Sequence, residues 1–143
     1  MAEATVTWLK EGIFVGTDGT KHSVVLSKYG EDGGVGMKPS ELLLVSLASC
    51  TAVDVVSILT KMRISLSELE IKVEGEQDGE PPWQYRKIHL TYRVKGEGCT
   101  DAAVERAIEL SESKYCSVAA SLRGQVEIGH SYEILNNDGA GGE

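Results

Sequence analysis

The sequence predicts an α+β fold, with strands and helices segregated rather than strictly alternating. Three observations carry that prediction. Several short stretches place apolar residues at every second position, the period of a strand with one buried face. One stretch, Leu42 to Leu59, is almost entirely apolar or small and has the length of a helix. The inferred order is strands, long helix, hairpin, two helices and a last strand, which suits an α+β architecture.

The first strand is expected over Ala4 to Lys10, where Val6 and Trp8 share one face and Thr5 and Thr7 the other. Asp18-Gly19-Thr20 is a turn signal, and His22 to Tyr29 reads as a second strand. Gly30 to Gly36 contains four glycines and is expected to be a loop. Pro39 suits a helix first turn and Glu41 its positive end, and the helix should run to about Met62, with Lys61 and Arg63 near its negative end. A hairpin comes next. Leu69, Ile71 and Val73 alternate with charged residues, and after Pro81-Pro82 so do Ile88, Leu90, Tyr92 and Val94. The outer faces are acidic on one strand and basic on the other, so charges are expected to pair across them. Thr100 is placed to cap a second helix with inner residues Val104, Ala107, Ile108 and Ser111, and Tyr115-Cys116-Ser117 leads into a short third helix ending at Gly124. Val126 to Ile134 alternates as the last strand. The reading is one domain over 1–135, then a Gly-rich tail, 136–143, expected to be disordered.

Composition narrows the function. The formal net charge is −8 and the basic residues are scattered, which argues against nucleic acid and anionic membrane as partners. The N-terminus lacks the basic-then-apolar pattern of a secretory signal, and three widely spaced cysteines do not form a disulfide scaffold; a cytoplasmic location is expected. Leu42 to Leu59 approaches the roughly 20 residues of a membrane span, but Asp54 lies within it, at an insertion cost of about 2.5–3.5 kcal/mol. It is read instead as a buried core helix, and the chain as having no membrane partner. One chain supplies too little surface to cover such a helix all round, so a homodimer sharing one core is the simplest solution.

Three cysteines are the chemical candidates. Cys50 lies in the apolar helix, between Ser49 and Thr51, where a cysteine can equally be a small core residue. Cys116 precedes a short helix, whose free N–H groups can favour a thiolate, and it too can equally be a packing residue. Cys99 stands in a Gly-rich loop and reads as incidental. Asp54 must be paired or protonated if buried, and capping of a neighbour is favoured over catalysis. His22, His89 and His130 lack metal-ligand spacing, so no metal is expected, and no phosphate-binding loop or other cofactor motif is present. His22 and His89 read as strand surface and His130 as a hydrogen-bonded core residue.

Gly36-Met37-Lys38-Pro39-Ser40-Glu41-Leu42-Leu43-Leu44 and then Ala48-Ser49-Cys50 resemble the helix-start and cysteine motif of OsmC-like proteins. Lys114-Tyr115-Cys116-Ser117-Val118-Ala119, then Gly124 and Tyr132-Glu133-Ile134, resembles the second cysteine motif of that family. The resemblance spans nearly the whole chain. It implies an OsmC-like fold, with antiparallel-type sheets around a long buried central helix, and an intertwined homodimer with Cys50 and Cys116 near its interface. It further implies a thiol-dependent, peroxiredoxin-type activity against organic hydroperoxides in oxidative stress, with an external dithiol as reductant. Cys50 would be the nucleophile, Cys116 the resolving thiol and Glu41 a further catalytic candidate. The peroxidase branches also use an N-terminal arginine, whereas the first arginine here is Arg63, and their paired glutamate falls at Ser40, one position before Glu41. Those departures motivate a second reading: a small-ligand-binding or redox-sensing dimer that does not turn over.

Overall fold

The computed structural model describes residues 1–30 and 34–135. The tail expected at 136–143 and part of the loop expected at 30–36 lie outside the described residues. The chain packs as two compact units, Met1–Leu43 and Leu44–Glu143.

The first unit holds a three-stranded antiparallel meander of β1 (Ala4–Lys10), β2 (Ile13–Asp18) and β3 (Ser23–Ser27). β1 matches the expected strand. β2 was not expected, and the chain reaches it through Glu11, which takes a left-handed φ of 49° at the turn. The Asp18 turn is held by its own carboxylate, which accepts from the backbone N–H of Thr20 at 3.0 Å and of His22 at 3.1 Å. The segment leading into the next helix runs beside β3: Met37 N–H donates to the Val25 carbonyl at 2.9 Å and Ser27 N–H to the Met37 carbonyl at 3.1 Å. A Cβ on Gly36 would come within 2.5 Å of that Val25 carbonyl, so only glycine fits there.

Helix α1 (Pro39–Lys61) begins in the first unit and continues into the second. Its bounds match the expected ones to within a residue, and Arg63, at φ 63°, ends it in the left-handed conformation common just past a helix C-terminus. By length and composition α1 could cross a membrane. Within one chain its burial is confined to a stripe, Leu44, Leu47, Thr51, Val55 and Leu59, recurring every three to four residues. On the rest of the helix Val45, Val53 and Val56 are 43%, 69% and 41% exposed.

The second unit is built on a sheet of order β4-β5-β6, from β4 (Ser65–Gln77), β5 (Tyr85–Glu97) and β6 (Glu127–Leu135). β4 and β5 form the expected antiparallel hairpin. Ile88, Leu90, Tyr92 and Val94 are all buried, and on the other face Lys95 meets Glu68 and Arg93 meets Glu70, each at 3.6 Å. β6 pairs with β5 in parallel, because the chain crosses over through helices before returning. That crossover contains α2 (Asp101–Leu110), a π-helical turn (Ser111–Tyr115) and α3 (Ser117–Leu122). Thr100 caps α2 as expected, accepting from Ala103 N–H at 3.2 Å, and Val104, Ala107, Ile108 and Ser111 are all fully buried. α1 meets this unit through Leu44 against Gly75 of β4, Thr51 against the Tyr92 hydroxyl of β5, and Asp54 against Ser111.

Candidate functional site

Two segments distant in sequence meet in the second unit. Cys50 and Asp54 stand one helical turn apart on α1 and so share a face. Cys116 sits between the π-helical turn and α3. Its N–H donates to the Ser111 carbonyl at 2.8 Å, closing the wide turn, and its Sγ caps α3 by accepting from Ala119 N–H at 3.3 Å. A π-helical turn inserts an extra residue into a helical path and redirects the chain beyond it. Here it ends the α2 direction and leaves Cys116 in an extended conformation, φ −76° and ψ 108°. The two Sγ atoms and an Asp54 carboxylate oxygen all lie within 4.8 Å of one another.

The two thiols differ in their surroundings. Cys50 is half-buried, whereas Cys116 is 2% exposed. Burial pushes the Cys116 thiol up to about 11, and a hydrogen bond with Cys50 adds to the rise; the N–H groups of Ala119 and Val118 partly offset it. Cys116 therefore carries its proton at neutral pH. Asp54 is held in place by the buried Ser111 hydroxyl, which donates to Oδ2 at 2.8 Å. This gives Asp54 the partner expected of it, and it also puts the carboxylate beside both sulfurs.

Behind Cys116 lies a polar network that sequence reasoning missed. The Tyr92 hydroxyl donates to Glu112 Oε2 at 3.1 Å, and Glu112 Oε1 lies 3.0 Å from His130 Nδ1. The tyrosine and histidine rings pack edge to face with centroids 6.2 Å apart. Burial raises the Tyr92 hydroxyl well above the ordinary tyrosine value, so it stays a donor across the accessible pH range. Arg123 donates to the Glu112 backbone carbonyl. His130 was expected in the core; it is hydrogen-bonded as expected and shares the sheet face of its parallel partner Leu90, yet it is exposed, β6 standing at the end of the β4-β5-β6 order. His89 is exposed on β5, as expected, and bonds Ser131; His22 is exposed too but lies just before β3 rather than on a strand, and bonds Thr20.

Asp54 also lines a cleft of about 380 Å³ whose other walls include Ile58, Met62, Leu110 and Tyr115, with Lys61 also on its rim. A larger depression of about 500 Å³, lined by Gly75, His89 and Gly129 among others, includes none of the three donors. Glu41 is not part of the three-donor group. It is exposed in the first turn of α1, with its carboxylate 4.0 Å from Lys38 Nζ. Cys99 is also outside the group, and partial burial raises its thiol.

The arrangement offers two adjacent sulfurs on separate elements, one open and one sealed, with a carboxylate and an apolar cleft beside them. Two such sulfurs can be oxidised to a disulfide or can bind a soft metal ion together.

Comparison with known proteins adds context. The family model described as OsmC-like protein matches residues 30–131. The chain is 38% identical to protein YhfA of Escherichia coli over 133 residues, covering 93% of this chain and 98% of YhfA. A crystal structure of a hypothetical protein from Aquifex aeolicus superposes with a TM-score of 0.84 at 29% identity, covering 94% of this chain and 96% of that one. The organic hydroperoxide resistance protein OhrB of Bacillus subtilis superposes with a TM-score of 0.63 at 16% identity, covering 93% and 98%, a likeness of fold.

Proposed function

The chain belongs to the OsmC-like family, and from that premise we propose that it is a thiol-dependent peroxidase acting on organic hydroperoxides, with Cys50 as nucleophile and Cys116 as resolving thiol. One observation carries the reading: two sulfurs from distant segments lie within 4.8 Å of each other, and the more open of them adjoins Asp54, which lines an apolar cleft.

In this reading the Cys50 thiolate attacks the terminal oxygen of R–O–OH. The O–O bond breaks, the alcohol leaves after taking a proton, and Cys50 becomes a sulfenic acid. The Cys116 sulfur then displaces the hydroxyl, which departs as water with the proton Cys116 had held, and an S–S bond forms. An external dithiol returns both sulfurs to thiols. The assigned order rests on exposure, since an incoming peroxide can reach Cys50 while Cys116 is sealed. Ile58, Met62, Leu110 and Tyr115 supply the apolar wall that an alkyl chain would need.

The test is consumption of an organic hydroperoxide by the purified protein with a dithiol reductant. Saturable turnover that falls to background in Cys50→Ser is expected. Full activity in that variant would remove the proposal, and stoichiometric oxidation without turnover would favour the redox-sensing alternative. The proposal includes a homodimer, because a second copy would cover Val45, Val53 and Val56 on the open side of α1. Val53→Glu is accordingly expected to shift sedimentation equilibrium toward monomer; an unchanged monomeric mass in both proteins would exclude the dimer.

A further inference from the structure

We propose that Cys50, Asp54 and Cys116 form a binding site for one thiophilic divalent cation, with zinc as the best-matched ion. The proposal asks nothing of peroxide chemistry and stands or falls separately from the peroxidase reading, although it uses the same sulfurs.

The donor set selects the ion class. Two sulfurs and one carboxylate suit zinc and its thiophilic neighbours, whereas magnesium and calcium prefer all-oxygen shells. Zinc–sulfur bonds of about 2.3 Å in a tetrahedron put two sulfur ligands about 3.8 Å apart. The donors here lie within 4.8 Å of one another, so closing on an ion requires a contraction of at most about 1 Å.

The surroundings fit as well. A carboxylate ligand normally has an outer partner that fixes its orientation, and the buried Ser111 hydroxyl does this at Oδ2, leaving the other carboxylate oxygen for a cation. The two cysteines come from separate elements, one on α1 and one at the head of α3, so an ion would tie the crossover to the long helix. Asp54 also lines the 380 Å³ cleft, so the carboxylate side of the donor set faces open space. A dication between the sulfurs favours loss of both thiol protons, since metal binding and thiol ionisation are linked.

The experiment is an anaerobic titration of the reduced, chelator-treated full chain with cobalt(II), and then displacement with zinc(II). Thiolate-to-cobalt charge-transfer absorption saturating at about one ion per chain is expected, with loss of the band on zinc addition. Cys50→Ser and Cys116→Ser should each abolish it, and Cys99→Ser should leave it unchanged. Asp54→Asn should weaken affinity by at least the roughly 10–100-fold typical of losing an outer-shell partner. Absence of the band, its persistence in either single serine variant, its loss in Cys99→Ser, or full affinity in Asp54→Asn would overturn the assignment. A second measurement uses the unaltered protein and so does not depend on any variant folding. Zinc should slow alkylation of Cys50 and Cys116, mapped by mass spectrometry, and leave Cys99 unaffected; equal rates at Cys50 and Cys116 with and without zinc would also overturn it.

Discussion

Cys50 and Cys116 share one site and differ in almost everything else. Cys50 sits on a long helix whose face is only half covered, while Cys116 is sealed behind a π-helical turn with its sulfur turned to the N–H groups of α3. Capping favours a thiolate, and burial opposes it. For Cys116 burial wins, which is why its thiol rises despite the donors aimed at it. Position at a helix start is therefore not enough to make a cysteine reactive; the cost of desolvation outweighs the N–H contacts of Val118 and Ala119 here.

The largest expected consequence of that difference is in labelling rate. A thiol titrating near 11 is thiolate to about one part in three thousand at pH 7.5, against about one part in ten for an ordinary cysteine. Cys116 should therefore be alkylated at least about 10²-fold more slowly than a free cysteine, with burial slowing it further, and more slowly than Cys50. Mass spectrometry after timed alkylation reads both sites at once. Cys116 labelling at the free-cysteine rate would erase the contrast.

The same shift makes stability depend on pH, with a definite sign. Above about pH 9 the unfolded chain loses the Cys116 proton while the folded chain keeps it until about 11, so the folded state binds more protons and stability falls as pH rises through that window. The loss is on the order of 3 kcal/mol across it. Lysines and tyrosines titrate in the same range, so the useful quantity is the difference between the wild type and Cys116→Ala in urea midpoints from pH 8 to 11. A difference that stays flat with pH would mean that the thiol is better solvated than its burial indicates.

Much of this fold was legible in the sequence where the local physical rules did not compete. Alternation marked β4 and β5, because one face is buried on β5 and half-buried on β4 while the other is charged. Thr100 and the stripe from Val104 to Ser111 marked α2, because capping and a 3.6-residue period agree there. β2 escaped because its apolar run, Ile13-Phe14-Val15, has no alternation, and because the turn before it is made by a glutamate in a left-handed conformation that sequence would assign to glycine. The parallel pairing of β6 depends on the crossover path and has no local signature. In the site, both cysteines were picked out by motif. Asp54 is legible as a residue needing a partner, and its spacing of four from Cys50 puts the two on one helix face, but no local signal shows that Cys116 and Ser111 meet them there. Ser111 appeared only as part of a helix stripe. Tyr92 and Glu112 were invisible as a pair, because they lie on different elements that meet only after folding.

The smallest effect is expected at Glu41, the candidate that stands apart from the two thiols. Its carboxylate is exposed and pairs with Lys38 at 4.0 Å, three residues earlier on the chain. Such a surface pair contributes about 0–1 kcal/mol, and the negative charge at the start of α1 adds a few tenths through the helix dipole. Glu41→Gln keeps the shape and removes the charge. Thermal unfolding should therefore move by no more than about 1 kcal/mol, and the alkylation contrast between Cys50 and Cys116 should be unchanged. If hydroperoxide turnover nevertheless fell by tenfold or more at unaltered stability, Glu41 would have to act on the sulfurs during catalysis. In that case the environment of Cys50 would include a charged group beyond Asp54, and the openness that separates it from Cys116 would be a property of the resting chain rather than of the working site.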